Sequence, residues 1–223
     1  MLCTDYHQGG YMQFLIVDDH PLTRKGLIQV ITCEPDYTDF KFDEVGTAAE
    51  AFNLLGANQY DMVLLDISLP DRSGLEILTH VRREKYALPV LVISAHPECL
   101  YAVRTLKMGA AGYITKTAAT DAVTTAIASI LSTGKYISPT VSLLLAHEVD
   151  NSRSSHAEPH ELLSNREMEV ACMIASGMSS REAAEQLRLS IKTINTHRSR
   201  LLAKLGLKNS VKLTAYCIQH HLI

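Results

Sequence analysis

The sequence predicts an α/β fold class: a doubly wound, five-stranded parallel sheet followed by an all-α helix-turn-helix domain of four helices. Three observations predict it. From Gln13 to about residue 132, short apolar runs alternate with amphipathic stretches, the pattern of a parallel sheet covered on both faces. That rhythm stops at Gly134, and residues 150–160 are polar, rich in Ser and His, and without strand character. Beyond them every periodic segment has helical spacing.

Strands are expected near 13–17, 41–45, 61–65, 89–93 and 111–114, and helices near 21–33, 47–56, 74–85, 98–108 and 119–132. Phe14-Leu15-Ile16-Val17 and Met62-Val63-Leu64-Leu65 are apolar throughout, as buried strands of a parallel sheet are. Pro89 stands at the entrance of Val90-Leu91-Val92-Ile93, where its missing N–H matters least. Gly109 and Gly112 bracket the entry to the last strand. In the tail, Ser164-Asn165-Arg166-Glu167 and Ser179-Ser180-Arg181-Glu182 both match the capping box, so each opens a helix. Gly177 ends the first, while Ser190 caps a third over 191–205 that Gly206 closes. The short link Arg188-Leu189-Ser190 makes the second and third a helix-turn-helix, and a fourth near 210–221 covers the remaining apolar side. The division is therefore 1–12 a disordered extension, 13–134 the sheet domain, 135–160 a linker with room for one short helix near 138–149, and 161–223 the helical domain.

Charge is unevenly shared. Residues 1–159 carry 12 Lys+Arg against 19 Asp+Glu, and residues 160–223 carry 9 against 5. An acidic front half suits cation and phosphate chemistry, and a basic tail suits an anionic partner such as nucleic acid. Cys3, Cys33, Cys99, Cys172 and Cys217 are odd in number and scattered, with no C-x-x-C pair, which argues against a disulfide framework and against a zinc site. No secretory signal precedes Met12, and no apolar run reaches the roughly 18 residues a bilayer requires, so a cytoplasmic protein without membrane attachment is expected. The phosphate-cradling G-x-x-x-x-G-K-[ST] loop is missing, so nucleotide hydrolysis is not indicated.

The acids stand out. Asp66 ends its apolar strand, and Asp18 and Asp19 follow Val17 at the equivalent place. Ligands of open α/β sheets bind at such strand ends. Three acids gathered there repel one another unless a cation sits among them, and carboxylates with water and phosphate suit Mg²⁺. Reception of a phosphoryl group is the chemistry this favours. Singly, a strand-end Asp serves as a helix cap, Lys116 as a surface charge and Ser94 as a turn residue. Jointly, acids after strands one and three, a hydroxyl after four and a lysine after five converge on one sheet edge.

Asp18-Asp19-His20-Pro21, Leu64-Leu65-Asp66-Ile67-Ser68-Leu69-Pro70 with Gly74, Val92-Ile93-Ser94-Ala95 and Gly112-Tyr113-Ile114-Thr115-Lys116 together resemble bacterial response-regulator receiver domains. With its tail, over roughly residues 13–220, the chain resembles NarL/FixJ-type regulators carrying a LuxR-type DNA-binding domain. The resemblance implies a flavodoxin-like receiver with Asp66 as phospho-acceptor, Asp19 on Mg²⁺ directly, Asp18 partly through water, and the Ser68 carbonyl completing the protein ligands beside Asp66. It implies that Lys116 pairs with Asp66 and then with a phosphate oxygen, and that Ser94 donates to another. An aspartate attacks a phosphoryl donor only when the equatorial oxygens are neutralised and the nucleophile is positioned. Tyr113 stands where the family has its switch aromatic; a tyrosine on a sheet is also ordinary core. Thr117 replaces the proline that many receivers carry after the lysine. Ser68 and His96 flank the site and bear on phosphate lifetime.

In the third tail helix Ile194, Leu201 and Leu205 form an inward stripe, opposite Asn195, Thr196, Ser199, Arg200 and Ala203. Four Lys/Arg and no acid fall between Lys192 and Lys204. This suits a major-groove helix, with Asn195, Thr196 and Ser199 on bases, and Lys192, His197, Arg198, Arg200 and Lys204 on the backbone. Thr193 of the first turn joins that DNA-facing set. The last helix, with Val211, Leu213, Thr214 and Tyr216, resembles the family's dimerisation helix, and core packing is an equal use for it.

The leading expectation is a transcription factor, a homodimer on double-stranded DNA, switched when a sensor histidine kinase phosphorylates Asp66. It is no free-standing enzyme, since the receiver promotes only its own phosphoryl transfer and dephosphorylation. A dehalogenase-like phosphatase needs a second acid two residues past the nucleophile, where this chain has Ser68. A regulator whose receiver only dimerises or senses a ligand is the alternative.

Overall fold

In the computed structural model, residues 11–33, 40–84, 87–151, 159–187, 189–220 and 222–223 are described. Of the expected disordered extension 1–12, residues 1–10 fall outside them, as does most of the polar stretch, 152–158, whereas Met12 is ordered by pairing with Phe40 as the first residue of a strand. Five strands, β1 (Met12–Val17), β2 (Phe40–Val45), β3 (Met62–Leu65), β4 (Val90–Ser94) and β5 (Gly112–Thr115), alternate with α1 (Pro21–Thr32), α2 (Ala48–Ala57), α3 (Gly74–Glu84), α4 (Glu98–Lys107) and α5 (Thr120–Thr133). The strands form one parallel sheet in the order β2-β1-β3-β4-β5. Every residue of β3 and β4 is buried, which explains their unbroken apolar sequence. On one face Phe14, Ile16, Leu64 and Ile93 meet Leu27 and Ile31 of α1 and Val123, Ile127 and Ile130 of α5. Each such fully buried side chain contributes about 1.5–3 kcal/mol.

The register positions the acids. Val17 pairs with Leu65, so Asp18 and Asp66 leave neighbouring strands side by side; Ser94 pairs with Thr115, which brings Lys116 next to the end of β4. Chain order reverses between β1 and β3, and at this switch point the loops diverge and open a crevice.

By contact the chain divides into two compact units, Met1–Leu144 and Leu145–Ile223. The first runs past Gly134 because the chain after α5 packs back onto β5. Tyr136 N donates to Ala111 O at 2.8 Å, and Ser138 and Val141 are buried. Helix α6 (Pro139–Asn151) starts there, with Ser138 Oγ accepting from Val141 N at 3.2 Å.

The second unit contains a 3-10 turn (Pro159–Leu162), α7 (Asn165–Ala175), α8 (Ser180–Gln186), α9 (Ile191–Lys204) and α10 (Ser210–Gln219). Both expected capping boxes form, and Ser190 Oγ accepts from Thr193 N at 3.0 Å to start α9. Gly177 and Gly206 adopt left-handed φ of 93° and 66°, which stops α7 and α9 where the sequence indicated. Val170, Ala171, Ala183, Ile194, Leu201, Leu213 and Cys217 are buried on the inner faces of α7–α10.

Candidate functional site

Backbone bonds fix the strand ends before any side chain is considered. Asp66 N donates to Val17 O at 2.8 Å, Asp18 N to Val45 O at 3.1 Å, and Lys116 N to Ser94 O at 2.7 Å. The side chains then converge. Lys116 Nζ lies 2.8 Å from Asp66 Oδ2 and 2.7 Å from Asp18 Oδ2, and both acids are buried. Ser68 N donates to Asp66 Oδ1 at 3.1 Å. Burial raises the Asp66 carboxyl above the ordinary carboxylate range, against the pull of the Lys116 ammonium and the Ser68 N–H. Burial works against the Lys116 ammonium, but the charge of Asp66 and the hydrogen bonds of Asp18 and Asp66 hold it above its ordinary range.

Asp18, Asp19, His20 and Asp66 each offer a ligand atom, all within 4.8 Å of one another. Three carboxylates at that spacing are a hard oxygen set that fits a divalent cation such as Mg²⁺. His20 is a member that sequence reasoning missed. Its Nδ1 is 2.6 Å from Asp19 Oδ1, and its N–H donates to Asp18 Oδ1 at 2.8 Å. Arg24 was missed too: its guanidinium donates to Asp18 O at 2.6 Å, and a helix position gives no sign of that reach.

Ser94 is buried, and its hydroxyl accepts from His96 N at 3.2 Å rather than touching Asp66. Tyr113 is buried as well, and its hydroxyl donates to His96 O at 2.8 Å. The His96 ring lies against Tyr101, with Nε2 3.1 Å from Ser68 Oγ. One histidine thus touches Ser94, Tyr113 and Ser68. Among the described residues no peptide bond is cis, including the one before Thr117.

The helical unit presents its own surface. Ile191, Lys192, Asn195, Thr196, Ser199 and Arg200 line one open depression along α9. Other residues assigned to DNA from sequence are engaged inside the unit. Lys204 Nζ pairs with Glu167 Oε2 at 2.6 Å, Arg198 Nη2 donates to Ser210 Oγ at 2.7 Å, and Thr193 Oγ1 meets Ser190 Oγ at 2.7 Å. His197 is half-buried, its Nδ1 enclosed and unbonded among the described residues. On α10, Leu213 and Cys217 are core, while Val211 and Ile218 are 77% and 57% exposed.

A doubly wound sheet with an acid-and-lysine pocket at its switch point, joined to a helix-turn-helix unit, is the architecture of a signal-receiving regulator of transcription. Comparison with known proteins agrees. The response regulator receiver domain family matches residues 14–128, and the bacterial regulatory proteins of the luxR family match residues 161–217. The chain is 32% identical over 210 residues to the response regulator UvrY of Escherichia coli K12, covering 93% of this chain and 94% of that one. It is 33% identical over 198 residues to the transcriptional regulatory protein UhpA of Salmonella typhimurium, covering 89% and 93%. A solved two-component response regulator of the LuxR family from Aurantimonas superposes with a TM-score of 0.56 at 30% identity, over 63% of this chain and 99% of that one. The chain belongs to the two-component response regulators of the NarL/FixJ type, with a receiver domain and a LuxR-type DNA-binding domain. No helix among the described residues is long and apolar enough to cross a membrane.

Proposed function

We propose that Asp66 is the phospho-acceptor, that its donor is the phosphohistidine of a sensor histidine kinase, and that its phosphorylation controls how α9 engages the major groove of double-stranded DNA. The observation that carries this reading is the Lys116 ammonium within 2.8 Å of both Asp66 and Asp18, at the strand edge that also holds Asp19. Asp66 Oδ attacks phosphorus, a new P–O bond forms, and the bond to the donor nitrogen breaks with its electron pair staying on the imidazole. Asp19 and Asp66 would ligate Mg²⁺ directly, Asp18 partly through water, and Ser68 through its carbonyl. When bound, the ion supplies the neutralising charge for the phosphoryl oxygens. Lys116 then moves from its two carboxylates to one of those oxygens, and Ser94 leaves the His96 amide to donate to another. That release frees the loop carrying His96, and with it the Tyr113 hydroxyl. The chain's own chemistry is confined to this transfer and its hydrolysis.

Functionally, residues 13–134 are the receiver, 135–160 the connection and 161–223 the DNA-binding domain of a cytoplasmic regulator. The exposed Val211 and Ile218 on α10 suit self-association, so a homodimer on DNA is proposed. The test is intact-mass measurement of phosphoryl incorporation from a small phosphodonor, with DNA binding followed in parallel. One phosphoryl group and tighter DNA binding are expected in the wild type with Mg²⁺; neither should occur after chelation or in Asp66→Asn. A labelled Asp66→Asn variant, or DNA affinity indifferent to the donor, would sink the reading.

A further inference from the structure

On α9 some side chains are free to read bases and others are already committed within the unit. Besides Lys204, Arg198 and Thr193, Thr196 Oγ1 is used, donating to Lys192 O at 2.9 Å and leaving its methyl as the unbonded part. What remains are two parallel rows with a spacing of four residues, Ile191–Asn195–Ser199 and Lys192–Thr196–Arg200, both along the same depression. The side chains of Asn195, Ser199 and Arg200 bond to no described residue. Ile191 is apolar yet 48% exposed, in the first turn of the helix.

Resting on the DNA-binding reading above, we infer that α9 reads an A·T-based half-site, with Asn195 bidentate on an adenine and Ile191 against a thymine methyl. The chemistry selects these bases. An amide offers one acceptor beside a donor, and in the major groove adenine presents the matching N6–H₂ donor and N7 acceptor. The only apolar group on the major-groove edge of the four bases is the thymine methyl. No acid stands on this face to accept from cytosine N4. Arg200, the group best suited to guanine, lies nine residues past Ile191, about 13 Å along the helix axis. The base-reading residues of such helices are N-terminal, so Arg200 falls to the phosphates. Ile191 and Asn195 are one turn apart, about 6 Å, which places adenine and thymine within about two base pairs of each other.

The experiment is selection from a random duplex library by the full chain with phosphodonor and Mg²⁺, followed by affinity measurements on the selected duplex. Adenine should dominate one position, with about tenfold discrimination that vanishes in Asn195→Ala. Replacing the nearby thymine by deoxyuracil, which lacks only the methyl, should weaken wild-type binding severalfold and leave Ile191→Ala unaffected. Both residues are exposed, so the variants retain the fold, and circular dichroism checks this. A guanine at the Asn195-dependent position overturns the inference, as does a motif unchanged in Asn195→Ala, while DNA binding itself stands. Failure of any duplex to bind overturns the DNA-binding reading and this inference with it.

Discussion

Asp66 is held in place by a residue that has no side chain. Gly74 N donates to Ile67 O at 2.8 Å as α3 begins, and a Cβ added there would fall far inside van der Waals contact distance of the Asp66 carbonyl oxygen. It would also press on Asp66 C and Ile67 Cα, and all three are backbone atoms that cannot rotate aside. Gly74→Ala is therefore expected to cost about 1–3 kcal/mol and to move Asp66 out of line. Gly26, inside α1, has nothing within 4 Å of an added Cβ. Gly26→Ala should accordingly stabilise by about 0.5–1 kcal/mol, through helix propensity alone. Urea midpoints of the two variants, with phosphodonor labelling of each, check this: equal midpoints, or full labelling of Gly74→Ala, would show that the close approach is relaxed elsewhere. The acids and Lys116 were legible in the sequence because each sits at the end of a recognisable strand. His20 and Arg24 were not, because their reach depends on rotamers.

Capping boxes are contacts three residues apart, so both were readable from the sequence, as were the terminating glycines. The Lys204–Glu167 pair joins residues in different helices, and no local pattern announces it. That pair changes what the cations of α9 do. Glu167 caps α7 through Ser164 N at 2.7 Å and binds Lys204 with the same oxygen. Burial opposes its charge, but the bonds from Lys204 and Ser164 outweigh this and hold its carboxyl below the ordinary value. A depressed carboxylate contributes stability that is present above its unfolded value, near 4.5, and is lost as pH falls through the folded value. Glu167→Gln should thus cost about 1 kcal/mol at neutral pH, and less in the acid range below that value. Lys204→Ala should show a similar loss of stability while leaving the salt dependence of DNA binding nearly intact. Lys192→Ala should do the reverse, lowering the salt slope by about one with stability unchanged. If Lys204→Ala lowers the slope as much as Lys192→Ala does, the ammonium leaves Glu167 for a phosphate on binding.

Signal and response belong to separate compact units, and the connecting chain is one route between them. Helix α6 begins in that unit and ends in the second. Its root is tied to the pocket by a short series of contacts. Ser68 N bonds Asp66, Ser68 Oγ meets His96 Nε2, and two residues on, Glu98 Oε2 accepts from Ser138 Oγ at 2.8 Å. Ser138 is buried and caps the first turn of α6, so the same hydroxyl serves both the helix start and the first residue of α4. A phosphate that draws Ser94 from the His96 amide would move this loop, and Glu98 would carry the displacement to α6. Such a path transmits only if it has two arrangements that phosphate biases differently. Ser138→Ala removes the tie without touching Asp66. Labelling of Asp66 should match the wild type, the first unit should lose about 1.5–3 kcal/mol with the bond to a charged group, and the gain in DNA affinity on phosphorylation should shrink. The affinity ratio of phosphorylated to unphosphorylated protein, measured beside Ser138→Thr, which keeps the hydroxyl, isolates the bond from the packing. An unchanged ratio in Ser138→Ala would mean that the displacement leaves by another face of the receiver.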